Sequence, residues 1–162
     1  MTEAVPVWAD IFAAIQDELE AVQDTAGGQA FTVIQGEPIG LPLGGPYACF
    51  WYLGRTDATE GRQTLGNIMY AARIQILCLW PVQPERATIG ERDADIATID
   101  TSIRRQFRAN SVINSNLTDL DILESDVSYG DLPIGTGAGR ALYRVLQMEL
   151  RLDNLEGEAI AA

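Results

Sequence analysis

Residues 67–80 read NIMYAARIQILCLW, and their alternation decides the fold. Ile68, Tyr70, Ala72, Ile74, Ile76, Cys78 and Trp80 fall on one face of an extended chain, and Arg73 and Gln75 fall on the other. A two-residue period sustained over this length marks a strand with one buried face. The stretch far exceeds the usual strand length of about five or six residues, so it is expected to project beyond its sheet. Just upstream, residues 47–55 (YACFWYLGR) read as a second strand. The link between them, TDATEGRQTLG, is polar and bears glycine. A long antiparallel hairpin with a mobile tip is predicted.

Working outward, residues 7–24 have an apolar stripe at steps of three and four: Trp8, Ile11, Phe12, Ile15, Leu19 and Val22. Asp10, Asp17, Glu18 and Glu20 fall between them, which is the pattern of an amphipathic helix. Pro6 suits its first turn and Gly27-Gly28 its end. Phe31–Ile34 reads as a short strand. Residues 36–46 (GEPIGLPLGGP) hold three prolines and four glycines, a composition that excludes helix and ladder. Ile39, Leu41 and Leu43 are unusual in such an arm; they cover the domain's own core or pack on a neighbouring subunit.

Downstream, Pro81 and Pro84 stop the long strand. Thr88 and Glu91 have capping-box spacing, so a second helix is predicted from there to about Arg108. Its apolar face is Ile89, Ile96, Ile99, Ile103 and Phe107. Arg104, Arg105 and Arg108 lie where positive charge suits the helix dipole. Residues 118–129 (TDLDILESDVSY) read as an acidic strand, 130–138 (GDLPIGTGA) as a loop, and 139–152 (GRALYRVLQMELRL) as a last long strand. In that strand Leu142, Leu146, Met148, Leu150 and Leu152 share a face, with Arg144 the exception. The expected class is α+β in the order α-β-β-β-α-β-β: a mainly antiparallel sheet with both helices packed on one face. Residues 1–153 are expected to form one domain, with 154–162 a flexible tail.

Composition narrows the functions. Apolar residues make up 47% and charged residues 21% of the 162, ordinary values for a chain that buries its own core. The 23 acidic and 11 basic residues leave a net charge of −12, which opposes duplex DNA binding. Every basic residue is Arg, as a GC-rich genome would encode. The start, MTEAVPVWADIF, lacks the basic and apolar parts of a signal peptide, and no run is long enough to cross a membrane. Cytosolic synthesis is therefore expected. Cys49 and Cys78 both sit in apolar runs and read as reduced core residues rather than a bridge.

Reactive groups are sparse. With no His, Ser-His-Asp and Cys-His nucleophile systems are absent; with no Lys, so is the phosphate-binding P-loop. GTGAG at residues 135–139 follows Pro133 and precedes a period-two run, the wrong context for a dinucleotide site. Asp119, Asp121, Glu124 and Asp126 are read as a solvated acidic face, against a weak cation site or paired carboxylates. No enzyme activity, cofactor or metal is expected.

Four stretches together resemble the tail terminator, or tail completion, proteins of long-tailed bacteriophages. They are the opening helix VWADIFAAIQDELEAV, the hairpin CFWYLG…MYAARIQILCLW, the helix ERDADIATIDTSIRRQF after a Pro-bearing turn, and the closing strand RALYRVLQMELRL. The resemblance spans roughly residues 5–153. It implies a virion protein at the head-proximal end of the tail, assembled in the host cytoplasm as a ring, usually a hexamer. Such a ring caps the tail tube, ends its polymerisation and meets the head connector, while DNA passes through the lumen without specific binding. The family's loops contact the tube, and the matching segments here are 54–66, 36–46 and 130–138. They supply the candidate interface residues Arg55, Asp57, Glu60, Arg62, Ile39, Leu41, Leu43 and Ile134. Another head–tail connector or tail-tube component, or a small non-catalytic binding domain, is the alternative.

Overall fold

The computed structural model describes residues 8–24, 27–42, 44–56, 63–64, 67–82, 86–109, 112–113, 116–119, 126–133 and 140–159. Its elements in chain order are α1 (Trp8–Glu20), β1 (Thr32–Gln35), β2 (Tyr47–Thr56), β3 (Gln63–Thr64), β4 (Asn67–Pro81), α2 (Arg86–Ala109), β5 (Val112–Ile113), β6 (Asn116–Asp119), β7 (Asp126–Pro133) and β8 (Arg140–Ala159). They form one sheet in the order β1-β2-β4-β8-β6-β5, with β3 added to β4 and β7 added to β8. The class is α+β and the sheet mostly antiparallel. The exception is β1, which runs parallel to β2 with Thr32 opposite Tyr47 and Gln35 opposite Phe50.

β4 is the spine. It pairs antiparallel with β2 on one side, from Tyr47–Leu79 to Thr56–Ala71, and with β8 on the other, from Asn67–Ala159 to Pro81–Tyr143. The predicted buried face is realised over the described side chains, but the other face is not solvated throughout: Gln75 and Leu79 are buried on it as well. Ala72, Ile74, Ile76, Cys78 and Trp80 are buried in one cluster with Ala48 and Phe50 of β2 and Leu146, Met148, Leu150 and Leu152 of β8. Both helices cover this face. α1 buries Ile11, Ile15 and Leu19, and α2 buries Ile96, Ile99, Ile103 and Phe107. A further tie between the helices is the Gln106 amide, which donates to Glu18 Oε2 at 2.7 Å.

Several boundaries depart from the sequence reading. α1 ends at Glu20, ahead of the glycines; Asp24 and Gly28 then close a tight reversal, the Gly28 N–H donating to Asp24 Oδ1 at 2.9 Å. The reversal returns the chain beneath the sheet, so Val22, Ala30 and Phe31 still reach the core. α2 starts at Arg86, so Thr88 lies inside it and is not its N-cap. The expected single strand at 118–129 is two elements, the end of β6 and the start of β7; residues 120–125 lie outside the described part. β7 continues through Gly130, Asp131 and Leu132, where a loop was expected, because β8 offers it a full ladder from Gln147 to Arg140. Pro133 closes β7, a strand-end position where its missing N–H costs least.

The expected tail is also corrected in part: β8 runs on to Ala159, with Leu155 opposite Tyr70 and Glu156 opposite Met69. A strand as long as β4 supplies an edge for those residues to join. Cys49 and Cys78 are free and buried, as read. They stand at adjacent register positions of β2 and β4, Cys49 opposite Leu77 and Ala48 opposite Cys78, and serve opposite faces of the sheet.

Truncating Ile76, which is fully buried beneath both helices, should cost about 2–5 kcal/mol. The expected outcome for Ile76→Ala is a urea midpoint shifted well below that of the parent with an unchanged slope.

Candidate interaction surface

The face of the sheet turned away from the helices carries a second, smaller core. Leu41, Tyr47, Cys49, Leu79, Tyr143 and Val145 are buried there, flanked by Ile34, Trp51, Leu77 and Leu132. Two segments border it. One is the arm that follows β1, which Gly36 turns out of the sheet at φ +134°, a value that favours glycine. The other is β7, where Gly130 is tightly placed: a Cβ would stand 3.0 Å from Val145 Cγ2, so that methyl would have to give way. The Tyr47 hydroxyl donates to Pro42 O at 2.9 Å and pins the arm to β2.

Between the arm and β7 the sheet is left open as a groove of about 420 Å³. Its walls are Glu37, Pro38 and Ile39 on one side and Leu132 on the other; its floor is Trp51, Leu77, Gln75 and Gln147. Gln75 is the buried polar residue of the floor, at 6% exposure. Its amide donates to Met148 O at 2.8 Å, and the Gln147 amide donates to Gln75 Oε1 at 3.4 Å. Those bonds satisfy the buried amide without a ligand. Farther along this face Arg73 pairs with Glu149 at 3.1 Å. Thus the groove has walls that are apolar apart from Glu37, a floor that carries two amides, and an ion pair at its border.

Of the predicted interface residues, the structure separates two that the sequence treated alike. Ile39 is 71% exposed at the groove rim, whereas Leu41 is 3% exposed and belongs to the domain's own core. Leu41 as a contact residue is therefore corrected. Arg55 lies on β2, with its side chain outside the described part. Asp57, Glu60, Arg62, Leu43 and Ile134 lie outside the described residues, as do GTGAG at 135–139 and the acids Asp121 and Glu124.

Sequence reasoning missed other exposed apolar groups: Tyr52 (45%) and Leu53 (38%) on β2, Tyr129 on β7 and Leu142 on β8. Tyr52 meets Trp8 edge-on at 5.1 Å between ring centroids. Arg144, the exception on its strand face, pairs with Asp93 of α2 at 3.2 Å and stacks over the Tyr129 ring at 4.7 Å. Strand alternation places these side chains on a face but does not reveal where the helices stop covering it. No sequence signal marked that boundary.

The described residues hold no group of three or more potential metal ligands. No described helix is long and apolar enough to cross a membrane. Burial pushes the Cys49 thiol from its usual 9.0 up to about 11, and the Cys78 thiol is raised by burial and then by the nearby Cys49 and Asp100. Both thiols therefore stay protonated and poorly nucleophilic near neutrality. Burial also raises the Tyr143 phenol, with a smaller effect from Tyr47. No protein-family model matches this chain, and no curated protein matches it.

Two outcomes are expected. Leu41→Ala should lower stability by about 2–4 kcal/mol as a buried truncation, while Ile39→Ala should stay within about 0.5 kcal/mol, measured by urea titration. The raised thiols act through the unfolded state, which releases their protons from about pH 9 while the folded state retains them. Stability should consequently fall as pH climbs from 9 towards 11. A double Cys49→Ala, Cys78→Ala variant should lose less over that interval.

Proposed function

We propose that this chain is a ring-forming structural protein of a phage tail, which caps the tail tube and joins it to the head connector. The observation that carries the reading is where the exposed large apolar residues lie. Ile39, Tyr52, Leu53, Tyr129 and Leu142 all belong to the arm and the strands, and among the described residues neither helix contributes one. The helices cover one face of the sheet, so a partner has the rim and the open groove to meet. They fall in two groups, one at the arm and the outer part of β2 and the other on β7 and β8, and each group would supply part of a contact surface. The resemblance of the four sequence stretches to tail terminators supplies the kind of assembly.

The reading assigns contact rather than catalysis to the chain. Its two cysteines are buried and held protonated, and it has no His. The net charge of −12 suits a lumen that DNA traverses without adhering. Repulsion between such subunits is screened beyond about 8 Å at physiological salt, so short apolar contacts suffice to hold them.

Negative-stain images and light scattering of the purified protein test this. The expected result is a hollow disc with a central pore, and loss of tube overgrowth when the protein is added to polymerising tail tubes. A protein that stays monomeric at every concentration and leaves tube length unchanged overturns the reading.

A further inference from the structure

We infer that the arm Gly36–Pro42 is a strap that opens on its own, while the sheet and helices stay folded, and that its opening joins the second core to the groove beside it; the inference is independent of the assembly reading above. The second core is built mainly from strands. Tyr47 and Cys49 come from β2, Leu79 from β4, and Tyr143 and Val145 from β8. Among the described residues, Leu41 of the arm is the buried member that comes from outside the sheet. The helices pack on the opposite face, so they do not shield these side chains. Cys49 and Tyr143 are nevertheless 0% and 1% exposed. The seating of Leu41 therefore closes this core.

The closed arm leaves a polar group of that core unsatisfied. The Tyr143 hydroxyl is buried and has no hydrogen-bond partner among the described residues. Burial, and then the nearby Tyr47, raise this phenol, while Tyr47 gives its own hydroxyl to Pro42 O at 2.9 Å. A buried donor without a partner has lost its bonds to water and gained none in return. Lifting the arm returns the Tyr143 hydroxyl to water, which offsets part of the cost of baring apolar surface. The arm itself is lightly anchored. Glu37, Ile39 and Gly40 are exposed, and the Ile39 N–H donates within the arm, to Glu37 O at 2.8 Å. Little buried apolar surface and an exposed backbone are the marks of a segment that opens locally.

What opening bares is contiguous with the groove. Trp51, Leu77 and Leu132 flank the second core and also line the groove. Withdrawing Leu41 therefore extends the groove of about 420 Å³ towards Cys49 and Tyr143. The product is one longer apolar trough with a phenol hydroxyl in its floor. The main core is untouched by this change, because Ile76, Cys78 and Met148 lie on the other face beneath the helices.

The two native cysteines report on the strap. Cys49 packs with Leu41 in the second core, whereas Cys78 packs beneath the helices, and both are fully buried. The full chain is treated with a maleimide at mildly alkaline pH, and the modified site is read by mass spectrometry. Cys49 should react about tenfold or more faster than Cys78 and with little dependence on urea, because local opening exposes far less surface than global unfolding. Tyr143→Phe should slow Cys49 about fivefold, since the closed strap then buries no unpaired hydroxyl. Leu41→Ala should speed it about tenfold or more. Ile103→Val, in the helix-covered core, should speed Cys78 alone. Equal rates at the two cysteines, a shared urea dependence, an Ile103→Val effect on both, or a Tyr143→Phe or Leu41→Ala variant that labels Cys49 at the parent rate overturns the strap.

Discussion

The pairing of β4 with β8 is the constraint on which every other element depends. It is the longest ladder among the described residues; both strands are mainly apolar on the helix-bearing face and mix polar and apolar residues on the other. A slip of one residue would turn Ile74, Ile76 and Cys78 away from the helices and present Arg73 and Gln75 to them. Polar contacts on the open face hold the register. Gln75 stands opposite Glu149 and bonds to Met148 O, while Arg73 reaches Glu149 diagonally. Each contact is worth little alone, but each is lost in the slipped register, where charges would also be buried at several kcal/mol. The helices then dock on a surface whose pattern is already set.

That hierarchy explains how much was legible. The alternation of 67–80 and the three-four spacing of both helices are long, regular signals, and they located the sheet centre and its covered face. Short-range composition was less reliable where tertiary pairing competed with it. Gly130, Asp131 and Pro133 spell a turn, yet β8 holds them in a strand. Thr88 and Glu91 spell a helix start, yet α2 begins earlier, at Arg86. Residues 153–159 look like a polar tail, yet β4 extends far enough to pair with them. The parallel pairing of β1 had no sequence signal at all, because direction depends on the path of the arm between β1 and β2.

The interaction surface was only half legible for a related reason. An irregular arm has no period, so nothing distinguished Leu41, which drops into the second core, from Ile39, two residues earlier, which stays at the groove rim. Which apolar residues face solvent is decided by coverage. Tyr129 and Leu142 occupy the same face as Leu146 and Met148, but they remain exposed at 56% and 48%. Coverage is a property of the assembled layers and cannot be read from one strand.

An open strand edge is a hazard as well as an opportunity, because any extended chain can add to it. The outer part of β2 and the outer side of β7 carry devices that restrain promiscuous pairing. The register of β2 shifts between Tyr52 and Gly54, and Gly54 has φ +130°. β7 ends in Pro133 and carries two acids. Such irregular, charged edges are poor templates for random chains. The chain has a net charge of −12. Its opening helix presents Asp10, Asp17 and Glu20 to solvent and has no basic residue. An α1-to-α1 contact would set like charges together, which disfavours the helical layer as a place for two copies to meet.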